Sequence, residues 1–174
     1  MQEGKSAAQH GRTAFADLAG KYLTFKLDAE EFGLEILKVQ EIIKMMDITR
    51  VPRTPAFVRG VINLRGKVIP VVDLRLKFEM EKREGTDKTC IIVVTVRRGT
   101  GSVVMGIIVD EVSEVLDVPG EKIEPPPEFG GVVDTTFILG MGKVGDRVVT
   151  LMDVDKVLSN QDVAEVASVG AVAA

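Results

Sequence analysis

Few residues in this sequence are of the types that carry out chemistry, and their spacing argues against a catalytic site. His10 is the only histidine and Cys90 the only cysteine, which argues against a histidine-based triad or a His/Cys metal site. One cysteine cannot form an intrachain disulfide. Cys90 begins the apolar run CIIVVTV, which indicates a small core residue rather than a reactive thiol. We therefore expect no metal and no cofactor.

Two further patterns have both a chemical and a structural interpretation. Gly140 to Gly145 spells GxGxxG, but a dinucleotide site needs a helix to follow within a βαβ unit. A valine-rich strand follows here, so a hairpin turn is favoured. Asp73 and Asp153 could act as an acid–base pair only if they converged. Each precedes a segment suited to a short helix, and capping of that helix is the favoured role.

The stretch from Gly60 to Phe78 predicts a β-hairpin that presents Arg65. Two apolar runs rich in β-branched residues flank the polar centre NLRGK, where Asn and Gly suit a tight turn. Arginine is favoured at interface anchor points, although an arginine in a turn is more often a solvated surface charge. Glu41 leaves the same alternatives open: a solvated strand face, or a mixed contact patch with Val39.

Composition narrows the class of partner and the compartment. The 174 residues are 45% hydrophobic and carry a formal charge of −4, and phosphate contacts need clustered Lys and Arg. We therefore expect no nucleic-acid binding. No apolar run reaches the ~18 residues of a membrane span, and the N-terminus lacks the apolar centre of a signal peptide. We expect a cytoplasmic protein without direct membrane insertion.

An internal repeat predicts two similar β-lobes. Gly60 precedes Asp73 by thirteen residues, as Gly140 precedes Asp153, and KVIPVVDL resembles RVVTLMDV between them. No arginine stands at the second-lobe equivalent of Arg65. Two lobes of about five strands would form small barrels, which close their own edges. The predicted divisions are a leader (1–20), a first lobe (21–83), a second lobe (84–159) and a tail (160–174), with exchange of strands between the lobes left open.

Three local predictions follow from periodicity and proline content. Residues 32–43 are predicted as one strand with a bulge near Leu37, since short Val/Ile runs outweigh a possible helical period. Pro55 favours one helical turn through Phe57. Residues 119–131 contain three consecutive prolines and are predicted to lack regular structure.

Several motifs together resemble the CheW-type coupling proteins of bacterial chemotaxis. They are ILKVQEI (36–42), TPAFVRGVINLRGKVIPVVDLRLKF (54–78), GIIVDEVSEVL (106–116) and PPPEF (125–129). The resemblance covers roughly residues 21–159. It implies an all-β fold of two five-stranded SH3-like barrels packed together, with short helices. It also implies a non-catalytic adaptor that joins the cytoplasmic tip of methyl-accepting chemoreceptors to the regulatory domain of the histidine kinase CheA.

The resemblance also implies contact residues. Those implied for the receptor are Val39, Glu41, Gly60, Arg65, Val112 and Val115. Those implied for the kinase are Ile48 and Val51 on the first lobe and Phe129 at a second contact. Glu124 departs from the pattern, because it stands where relatives can carry a basic residue. The resemblance therefore implies that the ion pairing of the second kinase contact is absent or reversed in this chain.

Two other functions remain open at this point. One is the regulatory β-barrel module of another two-component signalling kinase. The sequence argues against a whole kinase, because we find in it no histidine phosphorylation site in a helix bundle and no ATP-binding segment. The other is a small β-barrel enzyme or nucleotide binder, which a thermal shift with a panel of nucleotides would reveal.

Overall fold

Short strands make up most of the computed structural model, which describes residues 18–127 and 136–157. Within this part of the chain the strands are β1 (Gly20–Leu27), β2 (Glu30–Glu35), β3 (Val39–Lys44), β4 (Val58–Leu64), β5 (Lys67–Asp73), β6 (Cys90–Arg98), β7 (Gly101–Val109), β8 (Glu111–Val118), β9 (Ile123–Glu124), β10 (Ile138–Val144) and β11 (Arg147–Met152). The helices described are α1 (Leu74–Lys77), α2 (Val154–Val157) and the 3₁₀ turns Ile36–Lys38 and Gly120–Lys122.

The strands form two sheets. The first has the order β8-β1-β2-β11-β10-β9, and the second has the order β3-β6-β7-β5-β4. All pairs are antiparallel except β2 with β11 and β5 with β7, which are parallel. The prediction of an all-β fold with two lobes and short helices is confirmed. The first sheet has a sixth strand because the two-residue strand β9 pairs with β10.

Each sheet takes strands from both halves of the chain. The β1–β2 hairpin pairs with β8 and β11, whereas the β6–β7 hairpin pairs with β3 and β5. Both sheets therefore contain strands from either side of the predicted boundary between residues 83 and 84. The lobe limits themselves stay a prediction.

The predicted repeat has a matching geometry in the two sheets. A register shift falls just before Gly60 in the β4–β5 pair and just before Gly140 in the β10–β11 pair. The backbone N–H of Asp73 donates to Phe57 O, and that of Asp153 donates to Phe137 O, both at 2.8 Å. Both hairpins therefore enter the following helix in the same way.

Apolar strand residues and a row of aromatic rings fill the space between the sheets. The main buried cluster takes side chains from both, including Phe25, Leu34, Ile92 and Ile107. The rings of Phe25, Phe32, Phe78 and Phe137 stack in sequence with centroids 5.7, 5.8 and 5.1 Å apart. This packing joins segments from four parts of the chain, and burial of apolar surface is the main stabilising term in such a fold.

Two local predictions were wrong. Residues 32–43 are not one bulged strand, because the 3₁₀ turn at Ile36–Lys38 carries the chain from one sheet to the other. Pro55 begins a single turn, as predicted, which the Val58 N–H closes by donating to Pro55 O at 3.0 Å. Part of 119–131 is regular, since Ile123 is buried and pairs with Gly142.

Candidate interaction site

The turn of the β4–β5 hairpin holds Arg65 in an unusual backbone conformation. Arg65 and Gly66 form the two-residue loop and have φ values of 54° and 84°. Positive φ at both positions is typical of the type I′ turns that suit the twist of hairpins. Asn63 Oδ1 accepts a hydrogen bond from the Gly66 N–H at 2.9 Å. The predicted hairpin is confirmed, and its turn fixes where the arginine side chain begins.

The Arg65 guanidinium forms a bidentate ion pair with Glu41. Arg65 Nη1 donates to Glu41 Oε2 at 2.7 Å, and Nη2 donates to Oε1 at 2.8 Å. The Arg65 side chain is 71% exposed and that of Glu41 is 30% exposed. Hydrogen bonding from Arg65 holds the pKa of Glu41 below its usual value. Two parallel hydrogen bonds restrict both side chains to one geometry.

The pair also joins opposite edges of one sheet. Glu41 lies on β3, and Arg65 directly follows β4, the two edge strands of the five-stranded sheet. A bridge also joins Thr49, in the loop that follows β3, to Val61 on β4, with N–H to O distances of 2.9 Å in both directions. The ion pair and this bridge therefore connect β4 and its turn to β3 and to the loop that follows it.

The remaining predicted receptor residues occupy two edge strands. Val39 lies on β3 two residues before Glu41 and packs against the main buried cluster. Val112 and Val115 lie on β8, at the edge of the other sheet. Val112 packs partly against the same cluster, whereas Val115 is half exposed. The structure brings Glu41 and Arg65 into direct contact and places the three valines on strands that flank the main core.

Gly60 acts through the absence of a side chain. It is buried with φ of 140°. A Cβ atom there would lie 2.0 Å from the carbonyl oxygen of Thr49 and 3.0 Å from Ile48 Cγ2. Any larger residue would push the 48–49 segment away from β4, so Gly60 shapes the site and cannot itself present a contact surface.

The predicted kinase residues lie on and beside the loop between β3 and β4. Ile48 packs against the core of the five-stranded sheet. Val51 lines two grooves on this loop, and its carbonyl accepts a hydrogen bond from Thr54 Oγ1 at 2.9 Å. Both side chains are partly buried.

Phe129 lies outside the described residues. Glu124, which departs from the family pattern, lies on β9 and forms an ion pair with Lys143. Its charge is therefore partly balanced within the second lobe.

Sequence reasoning missed an arginine that has a similar role in the second lobe. The position equivalent to Arg65 is Gly145, but Arg147, at the start of β11, pairs with Glu31 at 3.0 Å and with Glu114 at 3.2 Å. Glu114 lies on the edge strand β8, as Glu41 lies on the edge strand β3. Both lobes thus tie a hairpin to an edge strand by an arginine, and only in the first lobe is that arginine within the turn.

A second missed feature is a charged cluster between the sheets, centred on a buried arginine. Arg75 in α1 is nearly buried and donates to Asp28 Oδ1 at 2.8 Å and to Asp110 Oδ2 at 2.7 Å. Asp28 lies in the β1–β2 turn, and Asp110 lies where the chain passes from one sheet to the other. This cluster ties the two sheets together at one crossover.

Asp155 occupies the position equivalent to Arg75 in the repeat and has the opposite charge. It connects the two sheets at the other crossover. It accepts from Lys38 Nζ at 2.8 Å and from the Arg97 N–H at 2.7 Å. The sequence contained a signal for these two connecting charges, because Arg75 and Asp155 each follow a capping aspartate by two residues.

The described residues offer little for chemistry. Burial raises the pKa of the Cys90 thiol, which lowers the fraction of reactive thiolate at neutral pH. No group of three metal-ligating side chains converges within residues 18–127 and 136–157. None of the helices described there is long and apolar enough to cross a membrane.

Comparison with known proteins decides the family. Residues 21–162 match the model of the CheW-like domain. The chain is 40% identical over 164 residues to the chemotaxis protein CheW of Klebsiella aerogenes, covering 91% of this chain and 96% of the relative. The chain belongs to the CheW family.

Other members of the CheW family agree with this assignment. The chemotaxis protein CheW of Bacillus subtilis is 35% identical, with 86% of this chain and 93% of the relative covered. A crystal structure of the scaffolding protein TtCheW from Thermoanaerobacter tengcongensis superposes with a TM-score of 0.73 at 37% identity, and covers 83% of this chain and 95% of that one. The similarity thus extends to the fold and to nearly the whole length of these proteins.

Proposed function

We propose that this protein is a non-catalytic adaptor of bacterial chemotaxis, which couples the cytoplasmic tips of methyl-accepting chemoreceptors to the histidine kinase CheA. The observation that carries the proposal is the bidentate Arg65–Glu41 pair on an exposed hairpin turn. The pair lies within residues 21–162, which match the CheW-like domain, and its sequence context resembles the segment tied to receptor coupling in that family. The protein would act in the cytoplasm, at the membrane-associated receptor array.

The receptor surface is proposed to centre on Arg65 and Glu41, with Val39, Val112 and Val115 beside them. Arg65 is well exposed, yet its turn and its ion pair hold it in one place. A side chain that is already ordered loses little entropy on binding. Gly60 contributes by letting the adjoining loop close onto β4.

The kinase surface is proposed to lie on the loop between β3 and β4, with Val51 lining its grooves and Ile48 packed against the core of the sheet. Phe129 is proposed as part of a second kinase contact on the second lobe. The partner at both contacts would be the regulatory domain of the kinase. Two contacts on one small protein allow assembly to be multivalent, so each can be of modest affinity.

The proposed mechanism is allosteric coupling and needs no reaction at the adaptor itself. An adaptor that holds receptor and kinase together changes kinase activity only if it binds one kinase state more tightly than the other. The loop that carries the kinase surface is bonded to β4 through the Thr49–Val61 bridge, and the Arg65 turn follows the same strand. A change at one surface therefore has a short rigid route to the other.

The proposal is tested by Arg65→Ala, with Lys67→Ala as the matched control. Lys67 is an exposed cation one residue beyond the turn, and it forms no ion pair with the described residues. We expect Arg65→Ala to weaken binding to a receptor cytoplasmic fragment by roughly ten-fold or more, as is usual for an interface anchor. Binding to the kinase regulatory domain, measured separately by calorimetry, should be retained.

Circular dichroism should show an unchanged fold in both variants, and Lys67→Ala should bind both partners as the wild type does. Unchanged receptor binding and unchanged coupling in Arg65→Ala would refute the role assigned to this arginine. No binding of the wild type to either partner would refute the adaptor function.

A further inference from the structure

The loop between β3 and β4 borders two adjoining grooves that differ in character. The first, of about 360 Å³, is lined by residues 50–56, Val58 and Arg59. The second, of about 370 Å³, is lined by residues 49–52, Val61, Ile62, Asn63 and Val68. Arg50, Val51 and Pro52 line both grooves, so one segment of a partner could occupy them together.

Every charged side chain that lines these grooves is an arginine. Arg59 is neutralised by Asp73, with Arg59 Nη1 3.0 Å from Asp73 Oδ2. Arg50 and Arg53 are exposed, and neither forms a hydrogen bond or an ion pair with the described residues. Two unpaired cations on a chain with a net charge of −4 create a local positive potential that favours an anionic partner.

The loop that carries these arginines is rigid for a connection of its length. The Thr49–Val61 bridge anchors its first part, and the Val51–Thr54 and Pro55–Val58 hydrogen bonds hold its turns. Arg53 occupies the tip of a tight turn with φ of 63°. Because the backbone is already ordered, binding costs little additional conformational entropy.

The second groove supplies an apolar neighbour to this positive surface. Val68 is 37% exposed, next to the buried Ile69 on the same strand, and Val51 lines both grooves. An occupant that matches both grooves has an apolar side chain next to carboxylates. A nucleic acid would match the charges but not the apolar groove.

We propose that the arginine grooves recognise an acidic–apolar surface segment of the kinase regulatory domain, with Arg50 and Arg53 binding its carboxylates. This inference rests on the proposed adaptor function and gives a chemistry to one of its contacts. Arg50 and Arg53 would set the association rate and the choice of partner, since charges at the rim of an interface act mainly on these.

The test measures binding of the full chain to a kinase regulatory domain, with the double variant Arg50→Glu/Arg53→Glu against the wild type. Lys122→Glu is the matched control, because Lys122 is an exposed cation in the 3₁₀ turn before β9 and forms no ion pair with the described residues. The conservative double variant Arg50→Lys/Arg53→Lys keeps the charge and tests whether the loop tolerates substitution.

We expect the double reversal to weaken binding by roughly ten-fold or more at about 0.1 M salt, and the difference to shrink at about 1 M salt, where the Debye length falls from ~10 Å to ~3 Å. The lysine variant should retain most of the affinity, Lys122→Glu should retain all of it, and receptor binding should be unchanged in all three.

Wild-type affinity in the double reversal would overturn this inference and leave the adaptor function standing. A wild type that fails to bind any kinase domain would overturn both. A self-association of the chain that the double reversal abolishes, seen by light scattering without kinase, would assign the grooves to a second copy and overturn the stated partner.

Discussion

At the scale of single residues, an exposed arginine acquires a fixed geometry from its turn and its partner. The backbone and the side chain of Arg65 are both restrained. The turn with positive φ restrains the backbone, and the bidentate pair with Glu41 restrains the side chain. The same pair keeps the Glu41 carboxylate ionised, since hydrogen bonding to the charged form lowers a carboxyl pKa. Glu41 is therefore part of how Arg65 is presented.

The first residue-scale prediction concerns the pKa of Glu41. Because the pKa of Glu41 is lowered in the folded chain, the stabilisation from the pair is full above the unfolded pKa of about 4.3. It is lost as the pH falls through the lower, folded pKa. In Arg65→Ala we expect the pKa of Glu41 to rise towards its ordinary value, measured by carbon-detected NMR titration. An unchanged pKa would mean that the ion pair is not populated in solution.

At the scale of elements, the repeat gives each hairpin the same capped exit. Asp73 Oδ1 accepts from the N–H groups of Arg75 and Leu76, and Asp153 Oδ1 accepts from the N–H of Asp155. Capping of a short helix was predicted for both aspartates, and these hydrogen bonds confirm it. Asp73 is also buried and forms an ion pair with Arg59. It therefore contributes more than Asp153 to the free energy of unfolding.

The two caps give a paired stability prediction. Asp73→Ala should lower the free energy of unfolding by about 2 kcal/mol and Asp153→Ala by about 1 kcal/mol, because the first also leaves Arg59 without its partner. Urea denaturation followed by circular dichroism measures both. Equal losses, or a larger loss in Asp153→Ala, would contradict this account of Asp73.

At this scale, the sequence could predict the structural features that short runs of residues determine. The Arg65 hairpin and the capping aspartates could be predicted because each lies within a short span, and the repeat could be predicted because its two copies share the same local pattern. The turn at Ile36–Lys38 was not, since nothing local distinguishes a bulge from a change of sheet. The ion pairs Arg65–Glu41 and Arg147–Glu114 join residues far apart in sequence, and only the fold brings them together.

At the scale of the whole molecule, each sheet combines strands from both halves of the chain. Each sheet contains a hairpin from the other half of the repeat, so neither half can complete its sheet alone. Arg75 ties one crossover between the sheets and Asp155 ties the other, with opposite charges. A frame connected in this way suits a protein that holds two partners in a fixed relation, and coupling between sites needs such an element.

In the proposed function, this protein makes kinase activity depend on the receptor. The most direct measurement is autophosphorylation of the purified kinase with receptor cytoplasmic fragments, with and without this chain. The account predicts that receptor fragments stimulate the kinase only when the wild-type chain is present, and that Arg65→Ala fails to restore this stimulation while Lys67→Ala restores it. Receptor-dependent stimulation that is the same without the chain, or the same with Arg65→Ala, would contradict the account.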